Sequence, residues 1–306
     1  MLEPSTSLED ELEAVKTEWY APLVAPISST MQTALAPALA HYKLSATHLN
    51  NFLDVSRGGP HHFLLSNLLH FPSAMTPAAA YGSAVHSILQ RAHNHLKATN
   101  EFKPQEDILS DFEHTLQEYR LMPDDYDTFL QRGIDALRTF FTARYETFSP
   151  DQKVELGFGG QQVMLGSAKL TGVLDLLDID ETARTIHVTD YKTGKPSRSW
   201  QGKADYEKIK LHKYKQQLMF YKFLIEHSRD YSNYTVVSAS LQFVEPTLGG
   251  EILSLDFSFD DEECKRFEQL IERVWQHITA LDLPDISQFE PTYKGMLAFE
   301  DFLLES

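Results

Sequence analysis

The sequence has little cysteine and no long apolar run, and its acidic residues far outnumber its basic ones. The single cysteine, Cys264, excludes an internal disulfide framework and a four-cysteine zinc or iron–sulfur site. No apolar stretch approaches the roughly 20 residues that a membrane-spanning helix needs, and no secretory signal is visible after Met1. We therefore expect a cytoplasmic protein without a membrane partner.

A phosphate-binding loop of the Gly-x-x-x-x-Gly-Lys-Ser/Thr type is also missing, since Gly194 and Lys195 are followed by Pro196. This absence excludes a nucleotide-driven motor of that class within the sequence. The composition is that of a globular protein, with 42% hydrophobic and 11% aromatic residues. A length of 306 residues is enough for one large domain or two small ones.

The basic residues of this acidic chain are concentrated in one segment. The net charge is −17, from 44 acidic and 27 basic residues, which argues against indiscriminate coating of nucleic acid. Between Lys192 and Lys215, however, eight basic residues face only Asp205 and Glu207, which gives a local charge of about +6. The segment is either a solvated loop and helix face or a binding site for an anionic ligand.

Composition and periodicity divide the chain into regions. Residues 1–43 combine an acidic helical stretch with a Pro/Ala/Ser-rich segment, which is typical of a linker or a peripheral helix. Residues 44–149 have the 3.6-residue periodicity of helices, with clear patterns over 77–96, 105–120 and 123–146. These two regions therefore predict an N-terminal helical part.

Residues 150–280 mix strand and helix patterns and form the predicted core. Gly159-Gly160, between two short apolar runs, predicts a hairpin, and residues 170–179 predict a buried strand because they are apolar on both faces. The other predicted elements are strands over 185–192, 235–244 and 251–257 and helices over 206–228 and 260–280. The patterns predict a mixed α/β (α+β) fold with a mixed sheet flanked by helices, and a tail over 281–306 packed on this core.

Two carboxylates and a lysine lie near the ends of neighbouring predicted strands. Asp190 and Lys192 are two residues apart and therefore project to one face, and the preceding strand can bring Asp175 beside them. Such a group suits a hard divalent cation and the water that it activates. The alternatives are a solvated carboxylate for Asp175 and a strand-end ion pair for the other two.

Two helical motifs carry further polar residues. His86 lies one turn after Gly82, and a neutral imidazole can join two carboxylates around a divalent metal. Gln217 and Tyr221 share one helix face within an apolar stripe. A buried structural histidine and a core hydrogen bond are the alternative interpretations.

The order and spacing of these motifs resemble the PD-(D/E)XK nuclease superfamily, in particular the RecB-like (AddB-type) nuclease domains at the C-termini of bacterial UvrD/Rep-type DNA helicases. The resemblance covers about residues 44–280. The motifs that carry it are Gly82-x-x-x-His86, Gly172-x-x-Asp175, Asp190-Tyr191-Lys192-Thr193-Gly194 and Gln217-x-x-x-Tyr221. It implies a restriction-endonuclease-like fold and a DNA nuclease that depends on Mg²⁺ or Mn²⁺.

The resemblance also implies roles for individual residues. The expected metal ligands are His86, Asp175, Asp190 and the backbone carbonyl of Tyr191, with Glu155 as a further acidic candidate. The expected catalytic residues are Asp175, Asp190, Lys192, His86, Gln217 and Tyr221. The basic residues expected to contact single-stranded DNA or duplex ends are Lys195, Arg198, Lys203 and Lys213.

One departure from these relatives concerns cysteine. Many of them carry a cysteine–proline pair after the first helix and three cysteines near the C-terminus, where this sequence has Gly59-Pro60 and a cysteine-free tail over 289–306. No iron–sulfur cluster is therefore expected. Apolar side chains are expected to hold the tail instead, namely Met296, Leu297, Phe299, Phe302 and Leu303.

The other departure is the missing motor, because the relatives usually follow a helicase in one polypeptide. Helicase motor domains are therefore expected in the same polypeptide or as a partner, acting in DNA repair or recombination. Two alternatives remain open. One is a catalytically degenerate nuclease fold that binds DNA or docks a helicase, and the other is a metal phosphohydrolase of nucleotides, although the sequence has no adjacent His-Asp pair.

Overall fold

The computed structural model describes residues 29–305, and the acidic stretch predicted as helical near the N-terminus lies outside them. The helices are α1 Ser29–Ala40, α2 Ala46–Leu53, α3 Gly59–Phe63, α4 Pro77–Thr99, α5 Gln105–Glu118, α6 Pro123–Arg144, α7 Asp205–Glu226, α8 Asp261–Ala280 and α9 Tyr293–Glu305. The strands are β1 Lys153–Gly157, β2 Met164–Leu165, β3 Ala168–Lys169, β4 Val173–Asp180, β5 Thr185–Lys192, β6 Thr235–Phe243 and β7 Ser254–Phe257.

Helix α4, which carries His86, has clear signals at both ends. The side chain of Thr76 accepts the backbone N–H of Ala79, and Pro77 occupies the first helical position, where its missing N–H has no cost. Asn100 ends the helix in the left-handed conformation. These signals fix the start of the helix at Pro77, nine residues before His86.

The main sheet is mixed, as the sequence predicts. Its strand order is β1-β4-β5-β6-β7, in which β5 and β6 are parallel and the other neighbours are antiparallel. A parallel pair needs a crossover connection, and α7 supplies it between β5 and β6. Helix α7 therefore packs against the strand that ends in Asp190 and Lys192.

Two helical layers cover opposite faces of this sheet. Ile186 and Val188 of β5 belong to a large apolar core that includes residues of α2, α7, α8 and α9. Tyr191, on the other face of the same strand, belongs to a second core with Val85 of α4 and Phe140 of α6. Strand β5 is thus buried on both sides, and its period of two divides its side chains between the two layers.

The hairpin predicted at Gly159-Gly160 is wrong. Strand β1 pairs with β4, with Gly157 opposite Val173, and the connection between them contains the separate β2–β3 ribbon, which turns at Gly166. A glycine pair between apolar runs indicates a turn but does not identify the pairing partner. The pairing partner depends on the whole sheet, in which the long strand β4 lies next to β1.

The C-terminal tail contains α9, which packs against α7 and α8. Its side chains Met296, Phe299 and Leu303 are fully buried in the large core. Leu297 is half-buried, and Phe302 is exposed although its ring stacks on Phe299 at 6.5 Å between centroids. Across the described helices, none is both long and apolar enough to span a membrane.

Candidate active site

Strands β4 and β5 separate at the end of the sheet where the predicted site lies. Their backbone pairing stops at Leu176 and Thr189. Beyond this point the carboxylate of Asp175 takes the place of a backbone acceptor, because its Oδ2 accepts the N–H of Tyr191 at 2.8 Å. The hydrogen bond holds the Asp175 side chain in the opening between the two strands.

Asp190 and Lys192 lie on the same face of β5, as their spacing predicts. The Nζ of Lys192 is 2.7 Å from Asp190 Oδ2; the Asp190 side chain is buried and the Lys192 side chain is partly buried. The alignment of this ion pair is not that of a hydrogen bond, so within residues 29–305 Asp190 Oδ2 has no hydrogen-bond donor. The pair therefore neutralises charge but leaves one buried carboxylate oxygen unsatisfied.

Two residues of α7 close a ring of contacts around this pair. Lys192 Nζ donates to Gln217 Oε1 at 2.7 Å, Gln217 Nε2 donates to Tyr221 Oη at 2.5 Å, and Tyr221 Oη donates to Asp190 Oδ1 at 3.2 Å. The ring of Tyr214 lies 4.4 Å from Lys192 Nζ and adds a cation–π contact. We call Asp190, Lys192, Gln217, Tyr221 and Tyr214 the lysine network.

A second group of donors lies in the opening between the strands. His86, Glu155 and Asp175 each offer a ligand atom, and these atoms lie within 4.8 Å of one another. His86 Nδ1 is 3.5 Å from Asp175 Oδ1. Glu155 stands opposite Asp175 on β1 with a left-handed backbone, φ +48°. We call these three residues the ligand cluster.

The charges of the two groups shift the pKa values of their members. Burial lowers the pKa of His86, but contact with Asp175 and the charge of Asp190 outweigh burial, so the net shift is upward. Burial raises the pKa of Glu155, and the charge of Asp175 raises it further. Burial also raises the pKa of Asp190, with Lys192 opposing this and Asp175 adding to it. Negative charge thus accumulates where β4 and β5 part.

The residues in this opening fit a divalent cation. They provide carboxylate oxygens and an imidazole nitrogen within one small volume, which is a donor set suited to Mg²⁺ or Mn²⁺. Burial and the charge of Asp175 raise the pKa of Glu155, and a cation beside these carboxylates would oppose that shift. Asp190 itself lies outside the ligand cluster, because its carboxylate contacts Lys192 and Tyr221.

Comparison with protein families agrees with this geometry. A family model described as the PD-(D/E)XK nuclease superfamily matches residues 43–292, which is most of the chain. The chain belongs to the PD-(D/E)XK nuclease superfamily. Members of this superfamily are generally hydrolytic nucleases and typically use divalent metal ions. A comparison with curated proteins gives no significant match.

Glycines of the PD-(D/E)XK motifs allow close packing around the site. A Cβ on Gly82 would lie 3.2 Å from Thr193 Oγ1, so α4 approaches the loop after Lys192 at this glycine. A Cβ on Gly172 would lie 2.6 Å from Leu224, where β4 approaches α7. Thr193 therefore occupies the space next to Gly82.

The basic residues expected to contact DNA have different environments in this PD-(D/E)XK chain. Lys195, Arg198 and Lys203 are exposed on the loop before α7. Arg198 pairs with exposed Glu251 at 2.8 Å, a type of contact that contributes little to stability. Lys213 instead pairs with buried Asp54 and joins α7 to the end of α2. The structure gives Lys213 a partner inside the protein, away from the exposed loop.

The sequence pattern missed the residues that support the motif around Lys192. Gly194, with φ +101°, donates its N–H to Glu245 Oε1 at 2.7 Å, and Arg132 of α6 binds the same carboxylate. His93 Nε2 lies 3.0 Å from Tyr191 Oη, and burial lowers the pKa of His93 to about 4. Glu245 and Arg132 lack any local signal, whereas His93 is two turns from His86 on one helix face.

Proposed function

We propose that this protein is a Mg²⁺- or Mn²⁺-dependent deoxyribonuclease that hydrolyses phosphodiester bonds where β4 and β5 part. The observation that carries the proposal is the position of Asp175. Its Oδ1 faces His86, and its Oδ2 is tied to the backbone of Tyr191, between Asp190 and Lys192. One carboxylate thereby joins the ligand cluster to the lysine network.

The groups that would hold the cation are the ligand cluster, the carboxylate of Asp190 and the backbone carbonyl of Tyr191. When bound, such a cation supplies Lewis acidity toward a phosphate oxygen and lowers the pKa of a nearby water. Such a cation would also oppose the upward shift that burial and the charge of Asp175 give to the pKa of Glu155.

Lys192 acts as a cation in this proposal and not as a base. Burial lowers its pKa, but the charge of Asp190 outweighs burial and the net shift is upward, so the ammonium group stays protonated at neutral pH. An ammonium that is fixed by Gln217 and Tyr214 can donate to a phosphate oxygen or orient water without rearrangement. Its task is to stabilise negative charge that develops on the phosphate.

Gln217 and Tyr221 fix the position of the charged pair. Burial raises the pKa of Tyr221 well above its usual range, so its hydroxyl remains a donor to Asp190. Gln217 accepts from Lys192 with its oxygen and donates to Tyr221 with its nitrogen, which fixes the orientation of the amide. The two residues hold Lys192 and Asp190 in fixed positions while a DNA strand binds.

Exposed Lys195, Arg198 and Lys203 would guide the DNA backbone toward the site. The weak ion pairs of Lys195 with Glu207 and of Arg198 with Glu251 can be exchanged for phosphates at small cost. Lys213 is not needed for this task, because its charge is paired with Asp54.

Cleavage of single-stranded and plasmid DNA with Mg²⁺ or Mn²⁺ tests the proposal. We expect Asp175→Asn and Lys192→Met to lower the rate by about 10²–10³-fold, the order of loss seen when one charge-stabilising group is removed. Asp256→Asn, an exposed carboxylate on β7, and Lys97→Met, an exposed lysine on α4, are the matched controls and should cleave normally. Equal rates in all five proteins would contradict the proposal. DNA binding without cleavage would favour a catalytically degenerate module.

A narrower proposal concerns the biological context. The resemblance to RecB-like (AddB-type) domains supports action beside a helicase in DNA repair or recombination. A nuclease that receives strands from a helicase should prefer single strands or frayed ends. We therefore expect faster cleavage of a duplex with a long single-stranded tail than of a blunt duplex, and equal rates on the two would argue against helicase coupling.

A further inference from the structure

A cleft of about 580 Å³ opens on the flank of α7, between the loop before this helix, α8 and α9. Its lining combines positive side chains with aromatic rings. The residues used below are Trp200, Lys208, His212, Lys215, Arg266 and Tyr293. We propose that this cleft is a second nucleotide-binding site, in which Lys208, Lys215 and Arg266 hold phosphate and Trp200 stacks on a base.

The cations of the cleft are available to an anionic ligand. Among the described residues, Lys215 forms no ion pair, and its Nζ lies 5.9 Å from the centre of the Trp200 ring. Lys208 is 3.9 Å from Asp205 and Arg266 is 2.5 Å from Asp301, and both pairs are exposed. Exposed pairs contribute little, so a phosphate can replace the carboxylate at small cost.

The carboxylates of the cleft do not cancel this positive charge. Glu300 is buried at the base, where it binds both His212 at 2.8 Å and Gln216 at 2.9 Å. Its charge is therefore engaged by groups inside the protein. Glu263 is the other carboxylate of the lining, so three cations face two carboxylates in a chain whose net charge is −17. The lining itself is therefore richer in cations than in carboxylates, and Asp205 and Asp301, which pair with Lys208 and Arg266, lie outside it.

Trp200 is held in a fixed orientation at the edge of the cleft. Its Nε1 donates to the backbone carbonyl of Asp256 at 2.7 Å, and its ring meets Phe257 edge-on at 5.4 Å between centroids. Tyr293 lines the same cleft and contacts His212 edge-on at 5.6 Å. Aromatic rings beside cations are the combination with which proteins bind single-stranded nucleic acid without sequence preference.

The cleft is connected to the candidate active site through α7. Tyr214 contacts Lys192 in the lysine network, and the next residue of the helix, Lys215, lines the cleft. The loop that leaves Lys192 also leads to Trp200. A DNA strand bound in the cleft would thus be held beside the candidate active site. That the ligand is a DNA strand rests on the proposed function. The binding of a nucleotide in the cleft does not depend on it.

The test measures binding in EDTA, so that no cleavage occurs. A fluorescein-labelled 15-mer of deoxyadenosine is titrated against the full protein by anisotropy at several salt concentrations, and dAMP is titrated by tryptophan fluorescence. The variant is Lys208→Gln/Lys215→Gln/Arg266→Gln, and the control is Lys97→Gln/Arg120→Gln/Arg138→Gln, an equal change of charge at exposed positions of the helical layer.

We expect the cleft variant to bind the 15-mer at least ~10-fold more weakly, with a salt dependence reduced by about 2 in log–log slope, as three lost phosphate contacts imply. The control should bind like wild type. A loss confined to the 15-mer identifies a strand as the ligand, and an equal loss for dAMP identifies a free nucleotide. Wild-type affinity of the cleft variant for both ligands, or an equal loss in the control, would overturn the inference. Wild-type binding without cleavage in Mg²⁺ would contradict only the proposed nuclease.

Discussion

The two halves of the candidate site differ in how far the protein satisfies its own charges. In the lysine network every polar residue has a partner inside the protein, and the contacts run in a ring from Lys192 through Gln217 and Tyr221 to Asp190. The ligand cluster instead brings two carboxylates and one histidine together around a deficit of positive charge. Folding gives each side chain of the first half a partner, with one oxygen of Asp190 left over, whereas the second half has the donor set of a divalent cation.

The largest effect is expected from a substitution that breaks the lysine network. Lys192→Met leaves Asp190 as an unpaired carboxylate in a buried position, and we expect the free energy of unfolding to fall by about 3–5 kcal/mol. Urea denaturation without metal measures it. The double variant Asp190→Asn/Lys192→Met removes both charges and should recover much of this loss. A double variant no more stable than Lys192→Met would show that the pair is not the source of the effect.

The next effect concerns the ligand cluster. Mn²⁺ at about 100 times its dissociation constant should raise the free energy of unfolding of the wild type by about 2.7 kcal/mol, because only the folded state assembles the ligands. Asp175→Asn should lose this gain while unfolding normally in EDTA, since an amide oxygen still accepts from Tyr191. Asp256→Asn should keep the gain. Stabilisation of Asp175→Asn equal to that of wild type would place the cation elsewhere.

The smallest expected effect separates position from charge. Tyr221→Phe removes the hydroxyl between Gln217 and Asp190, and we expect a loss of about 1 kcal/mol in stability. The rate constant of cleavage should fall while KM stays unchanged, because Lys192 keeps its charge but loses its fixed position. Tyr206→Phe, at an exposed hydroxyl on the same helix, is the control. An unchanged rate constant in Tyr221→Phe would contradict a positioning role for Tyr221.

Local periodicity predicted the part of the site that lies on a single strand. Strand β5 has the predicted bounds, residues 185–192, because its alternation is regular and Gly194, two residues after its end, has a left-handed conformation. The shared face of Asp190 and Lys192 is a direct consequence of the two-residue repeat. The Gln217 and Tyr221 pair follows in the same way from the helical repeat of α7.

Contacts between distant elements could not be predicted from such periodicity. Glu155 and His86 belong to elements that are far apart in the chain and meet only because β1 pairs with β4 and α4 packs on the sheet. The same applies to Glu245 and Arg132, which hold Gly194. The wrong hairpin at Gly159-Gly160 has this cause too, because a turn signal carries no information about the final strand partner.

The sequence by itself therefore determined the strands and helices that carry the chemistry, the same-face pairs within them and the family to which their motifs point. It did so because side-chain direction within one element follows from the repeat of its backbone. Only the tertiary structure decided that Asp175 enters the gap between β4 and β5, that Glu155 stands opposite it, and that Lys213 is paired inside the protein. These features depend on the packing of whole elements, which no local pattern encodes.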